Sequence, residues 1–382
     1  MRRLELFKAL AALTCLPAAL LAQGITREGG RWVETVTGTA LPTAKLRVNA
    51  QGPVHLEGGT ANEIAYTARL SVPVSQARTA DDARRLFSRL RAATSGDVVI
   101  LSAPGGPVTS NLTIRTPRLS GAIINNADGS VEANGIDGTL EVSSGAGQLK
   151  CSRIHGDCTL TTGGGDIQVG DVTGQLHCAT AGGRVTVKSV RGDAVLETAG
   201  GYIEVDDAGG KVQADTAGGA IRVNSAGGAV SAATGGGSIV VGKAGGIVTV
   251  RNMAGPVQVG AAAGVRCESG TGGIRVSNVS GPMRVSTTMG SIVATLLAGP
   301  MADSFLATGN GDITVVIPSN VGVNIRAESD PADTLRRIVS DFPGVAVRMM
   351  GTEVVAEGPV NGGGPLLRIS GTGGTIFIKR QP

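Results

Sequence analysis

Between Asn126 and about Ile317 the apolar residues fall on two interleaved alternations that return with a fixed period. One runs Ile167 and Val169, Val185 and Val187, Ile203 and Val205, Ile221 and Val223, Ile239 and Val241, each pair eighteen positions after the last. Gln168, Thr186, Glu204, Arg222 and Val240 sit between the members of each pair, the period-2 signature of a half-buried strand. The other runs through Leu140, Cys158, Leu176, Ala194, Val212, Val230 and Val248. Thr162, Thr180, Thr198, Thr216 and Thr234 form a polar column at the same interval, with Ser144 and Asn126 in register before them. Each opens a unit of the kind T-x-G-G-x-I-x-V, clearest at Thr198 to Val205.

Each repeat is therefore two strand-plus-turn halves of nine residues, with glycine pairs such as Gly182-Gly183 and Gly200-Gly201 at the bends. Strands this short bury no core alone, so the pattern predicts a parallel β-solenoid in which each coil stacks on the last. About ten coils of 18 residues fit the stretch, with one 17-residue step from Val257 to Ile274 and one 21-residue step from Ile292 to Ile313.

The flanks read differently. Residues 1–22 combine Arg2, Arg3 and Lys8 with an apolar run from Ala9 to Leu21, the layout of a secretory signal peptide too short to span a membrane. A lipidated Cys15 would need a better lipobox than Ala12-Leu13-Thr14. Residues 23–125 are expected to form a small α+β N-terminal cap, with β-like stretches at 45–48, 54–56, 64–74 and 98–101. One helix is expected from about Ala80 to Ala92, capped by Thr79, with Asp81 and Asp82 at its positive end and its arginines on a solvated face. Residues 126–317 are the repeats, and 318–382 a C-terminal cap with a short helix at Pro331 to Ser340. There the chain leaves the solenoid and returns at Thr372-Gly373-Gly374-Thr375-Ile376 to add a final rung.

Composition sharpens the class. Sixty glycines and 2% aromatic residues suit thin columns of Val, Ile, Leu and Ala better than a globular core. Loss of residues 1–22 would remove three basic residues and one acidic one, taking the formal charge from +4 to +2. That balance leaves no footprint for nucleic acid. Cys151, Cys158, Cys178 and Cys267 all fall on inward columns as small hydrophobes; if a disulfide forms, the pair is Cys151 and Cys158, which a two-sided coil would bring face to face.

Candidate chemistry is sparse. A calcium β-roll needs an aspartate in every half-coil, whereas that place holds Asp166, Arg184, Tyr202, Ala220 and Ser238 in turn. Glu204, Asp206 and Asp207 cluster, but with Lys211 and Arg222 close by and no second acidic rung, as glycoside hydrolysis would require. His55, His155 and His177 are scattered. No catalytic residue, metal or cofactor is expected, and the threonine column is expected to stabilise the turns.

The iterated T-x-G-G-x-I-x-V units, the stretch Thr308 to Val315 running into Ile317-Pro318, and the closing Ile369 to Gly374 resemble the bacterial family of putative adhesins, exported β-solenoid domains related to auto-transporter adhesin heads. The resemblance implies an exported protein and adhesion, without specifying a ligand and with no functional residues to carry over. The long, regular, mixed polar surface of stacked strands is expected to serve a non-catalytic binding or scaffolding module of the envelope, in the periplasm, at the outer surface or outside the cell, with an envelope polysaccharide or protein as candidate partner. A polysaccharide lyase or hydrolase and a rod that stacks end to end are the alternatives.

Overall fold

Two parallel sheets face each other across one contiguous core that runs from Val36 to Ile378. The computed structural model describes residues 21–22, 24–297, 302–330 and 337–381, so the expected leader lies almost wholly outside the described residues. Each 18-residue coil gives one strand to each sheet. Cys158–Thr162, Leu176–Thr180 and Ala194–Thr198 are successive rungs of the first sheet. Ile167–Val172, Val185–Val190 and Ile203–Ala208 are the matching rungs of the second. Strands of the second sheet bury positions 1, 3 and 6, as in Ile167, Val169 and Val172, so the chain turns a corner after the third residue. Arg153 and Asn278 take this corner with φ of 54° and 51°. The all-β parallel solenoid expected from the repeat is what forms, with eleven coils in chain order from Gly121–Asn126 to Ile313–Ile317.

The irregular steps are absorbed without loss of pairing. Val257 stacks on Ile274 and Ile292 on Ile313, so the shortened coil and the lengthened one both keep the ladder.

The ends are laid out of order. In the first sheet Lys45–Ala50 pairs in parallel with Gly121–Asn126 on one side and Val98–Ser102 on the other. In the second, Val54–Glu57 lies likewise between Val131–Ile136 and Thr109–Arg115. Ile64–Pro73 then covers Thr109–Arg115 antiparallel, and Arg31–Ala40 covers Ile64–Pro73. Arg91–Ser95 does the same for Val98–Ser102. The N-terminal region is thus continuous with the solenoid, adding two rungs and then turning antiparallel, which blunts the exposed edge.

The C-terminal end mirrors this. Leu366–Gly373 is inserted between Ser304–Asn310 and Val323–Ser329, and Ile376–Arg380 between Ile313–Ile317 and Ile338–Ser340. The returning strands are therefore the penultimate rung, where the sequence pattern predicts the final one. Their register also differs by one residue: Gly371, and not Thr372, stacks beneath Thr308 in the threonine column. Outside them Glu353–Val360 and Ala346–Met350 close the first sheet antiparallel. With two rungs beyond the eleven coils at each end, the stack is about 70 Å long at about 4.8 Å per rung.

The helix spans Ala80–Phe87, shorter than its apolar spacing predicts, because Arg91 already begins a strand. Thr79 caps it reciprocally with Asp82, and Ala83 and Phe87 are its buried side. Of the short helix expected at Pro331 to Ser340, residues 331–336 lie outside the described set, and Ile338–Ser340 is strand.

Candidate binding face

The threonine column runs along one margin of the first sheet, at the bend. Thr162, Thr180, Thr198, Thr216 and Thr234 are buried, turned into the bend. Thr198 Oγ1 donates to the Gly183 carbonyl of the preceding coil at 2.9 Å and accepts from Gly201 N–H at 3.2 Å. Thr180, Thr216 and Thr234 repeat the pattern at 2.8 to 3.0 Å. Asn252 takes the role through its amide, donating to Gly237 and Gly255 carbonyls. A hydroxyl so occupied staples one coil to the next, so these side chains are not presented to a ligand.

Charged side chains at the turns are similarly engaged. Asp157, Asp193 and Asp312 each accept a backbone N–H from the next rung, at 2.8 Å. At the place a calcium β-roll would reserve for aspartates, Asp166 pairs with Arg184 at 3.0 Å, and Arg184 donates to Tyr202 Oη at 3.1 Å while lying 5.5 Å over its ring. On the second sheet Glu132 is held below the usual carboxylate range, first by its hydrogen bond to Lys150, and His55 stands 3.2 Å away. His155 contacts Asp137 at 2.7 Å. Glu204 comes within 3.9 Å of Arg222, and Asp206 accepts from Asn224 at 2.9 Å. No group of three or more His, Cys, Asp or Glu among the described residues is placed to hold a metal ion.

Cys151 and Cys158 come from opposite sheets and their sulfurs lie 3.6 Å apart as free thiols. The Cys151 contact and then burial push the Cys158 thiol well up; burial does the same for Cys178 and takes Cys267 from 9.0 to about 12. Thiols held protonated in this way are poor nucleophiles and poor metal ligands.

Two concavities mark the outer face of the first sheet, one along each margin. The larger, about 1120 Å³, follows the threonine bend from Thr161 to Gly270. Its floor is small, with Ala179, Ala181, Ala199, Ala217 and Ala233, and Glu197 and Asp215 stand in it on adjacent rungs. The second, about 830 Å³, follows the opposite turn from Asp193 to Leu366. Gln213, Ser231, Thr249, Arg266, Arg284 and Phe305 line its floor in one outward file. Ile247, Pro282 and Leu366 form its apolar wall. Sequence reasoning did not single out either groove, because each is a product of stacking across five or more coils. The one-repeat spacing from Arg266 to Arg284 was the available signal.

No family model matches the chain, and no curated protein does. Several solved structures are similar to it, three of them as follows. A putative adhesin from Bacteroides fragilis shares 16% identity over 75% of this chain and 96% of its own, with a TM-score of 0.29. A putative cell adhesion protein from Clostridium sporogenes shares 10% over 96% of this chain and all of its own, with a TM-score of 0.19. A putative adhesin from Parabacteroides distasonis shares 12% over 71% of this chain and 96% of its own, with a TM-score of 0.26. The first and third share the words putative adhesin with the family that the repeat units resemble. Among the described residues no helix is long and apolar enough to cross a membrane.

Proposed function

We propose that this chain is an exported, non-catalytic, adhesin-like binding or scaffolding module of the cell envelope, and that it holds its partner along the outer face of the first sheet. The observation that carries this reading is the pair of grooves on that face, which run across successive coils and offer a long, regular track to a polymer or an extended protein surface. The ionisable groups support it from the other side: two of the three carboxylates that a search for an enzyme would choose are spent on ladder contacts. Asp206 accepts from Asn224, and Glu204 faces Arg222.

The test is retention of the purified full chain on isolated envelope material, with polysaccharide and protein fractions assayed separately, together with protease treatment of intact cells. Retention on either fraction and cleavage on intact cells are expected. Absence of retention on both would remove the reading. Release of shortened or unsaturated sugar chains, abolished by replacing Glu204, Asp206 and Asp207 with Ala, would instead support a lyase or hydrolase. Against end-to-end stacking stand the antiparallel strands that cover both sheets at the N-terminal end and the first sheet at the C-terminal end, and light scattering that finds monomers at high concentration would complete that case.

A further inference from the structure

Along the floor of the second groove Arg266 stacks on Arg284 and Arg284 on Phe305, and Arg368 of the returning strand continues the file on the next rung. All four side chains point outward from the sheet, the three arginines exposed and the phenylalanine half-buried. At about 4.8 Å per rung, Arg266 and Arg284 are about 5 Å apart along the stack, and Arg284 and Arg368 about 10 Å, with the ring between them.

No hydrogen bond or ion pair among the described residues engages Arg266, Arg284 or Arg368. The contrast with their neighbours is sharp. Arg326, next in the file, is held by Glu328 at 2.6 Å and faces Glu357 at 3.7 Å. Glu268, two residues beyond Arg266 on its strand, pairs with neither arginine. The two acids that line the groove pair with no arginine of the file, and each accepts a backbone N–H through one oxygen: Asp193 from Lys211 at 2.8 Å and Asp303 from Leu366 at 2.9 Å. Like charges on adjacent rungs repel, and no carboxylate among the described residues forms an ion pair with them. The wall beside them is apolar and open, with Ile247 51% and Leu366 39% exposed.

We infer that this groove binds an acidic polysaccharide, with uronate-type carboxylates on Arg266, Arg284 and Arg368 and one sugar ring stacked on Phe305. This rests on the binding-module reading and names its ligand class. Guanidinium forks bind carboxylates two oxygens at a time, and a single file of them at rung spacing suits charges repeated along an extended chain. An aromatic face between two charges suits the apolar face of a pyranose, as do Ile247, Pro282 and Leu366 beside it. An acidic peptide fits less well, because the face lies within the sheet and has no free strand edge for it to extend. Nucleic acid fits less well too, because the chain as a whole carries only a small positive charge.

The experiment is calorimetric titration of the full chain with polygalacturonate and with alginate, against dextran, polyglutamate, duplex DNA and anionic phospholipid vesicles. Binding to the uronates and none to dextran is expected. Each of Arg266→Ala, Arg284→Ala and Arg368→Ala should weaken it about tenfold. The corresponding Lys variants, which keep the charge and lose the fork, should fall between. Phe305→Ala should weaken uronate binding and leave any weak polyglutamate binding unchanged. Circular dichroism would establish that the variants fold. Unchanged affinity in the triple Arg→Ala variant overturns the proposal, and so does tighter binding of polyglutamate, DNA or vesicles than of uronates. If uronates are not bound while envelope fractions still retain the protein, the ligand class fails and the binding-module reading stands. If neither is bound, both fail.

Discussion

Gly200 and Gly201 are adjacent, alike in sequence context and opposite in what surrounds them. A Cβ built on Gly201 would lie 1.9 Å from the Gly183 carbonyl oxygen and 2.5 Å from its carbon, both backbone atoms of the preceding coil. A Cβ on Gly200 meets nothing within 4 Å. To reach an ordinary contact the Gly201→Ala turn must move more than about 1 Å from its neighbour, against a stack whose rungs are spaced at about 4.8 Å. The carbonyl it strikes is the acceptor of the Thr198 hydroxyl, and Gly201 N–H is the donor to that same hydroxyl. Overpacking costs about 1 to 3 kcal/mol, and two strained hydrogen bonds add about 1 kcal/mol each. Gly201→Ala should therefore lose about 4 kcal/mol. Gly200→Ala should be neutral or gain up to about 1 kcal/mol, since alanine narrows the unfolded ensemble. Guanidinium denaturation followed by far-UV circular dichroism reads both variants directly. The steric reasoning is refuted if Gly201→Ala unfolds within about 0.5 kcal/mol of the parent, the ordinary scatter of surface substitutions. It is refuted equally if Gly200→Ala is the more damaging of the two.

Other expectations follow from the same contacts. Thr198→Val keeps the side-chain volume but leaves the Gly183 carbonyl and Gly201 N–H unpaired, so it should cost about 2 kcal/mol, and Thr198→Ser about half that or less; equal losses would exclude the hydroxyl staple. Because burial raises Cys267 from 9.0 to about 12, the folded form keeps a proton that the unfolded form releases; this contribution is present below pH 9 and should decline from pH 9 to 12, by up to about 1.4 kcal/mol per pH unit, and Cys267→Ala should flatten the decline. We propose that an exporting, oxidising compartment joins Cys151 to Cys158, whose sulfurs already meet; mild oxidation followed by peptide mapping should find that link and leave Cys178 and Cys267 free. Deleting residues 366–382 removes the inserted rung, so Val323–Ser329 loses its parallel partner and Ser304–Asn310 becomes an open edge. Light scattering should show aggregation of that variant, and a clean monomer would contradict the pairing order.

The coil was legible from the chain because a solenoid is built from neighbours. Each repeat contacts only the one before and the one after, so a single fixed period encodes both the inward columns of Ile167, Val169 and Val185 and their parallel stacking. The threonine column was visible for the same reason. What the pattern left open lies where pairing is non-local. Nothing in the alternation of Lys45–Ala50 or Leu366–Gly373 distinguishes a strand that ends the stack from one inserted into it. That choice depends on which edges meet across long stretches of intervening chain, and only the assembled sheets decide it. The opposite fates of Gly200 and Gly201 were hidden for another reason: Gly183 stands one repeat away, and only the geometry of the turn decides which glycine faces it. The threonine offset at Gly371 and the steps of the file from Arg284 to Phe305 and on to Arg368 belong with the non-local pairings. Each depends on what the adjacent coil places a few ångströms away, and at the irregular coils and the inserted rung that neighbour no longer stands one repeat away in the chain.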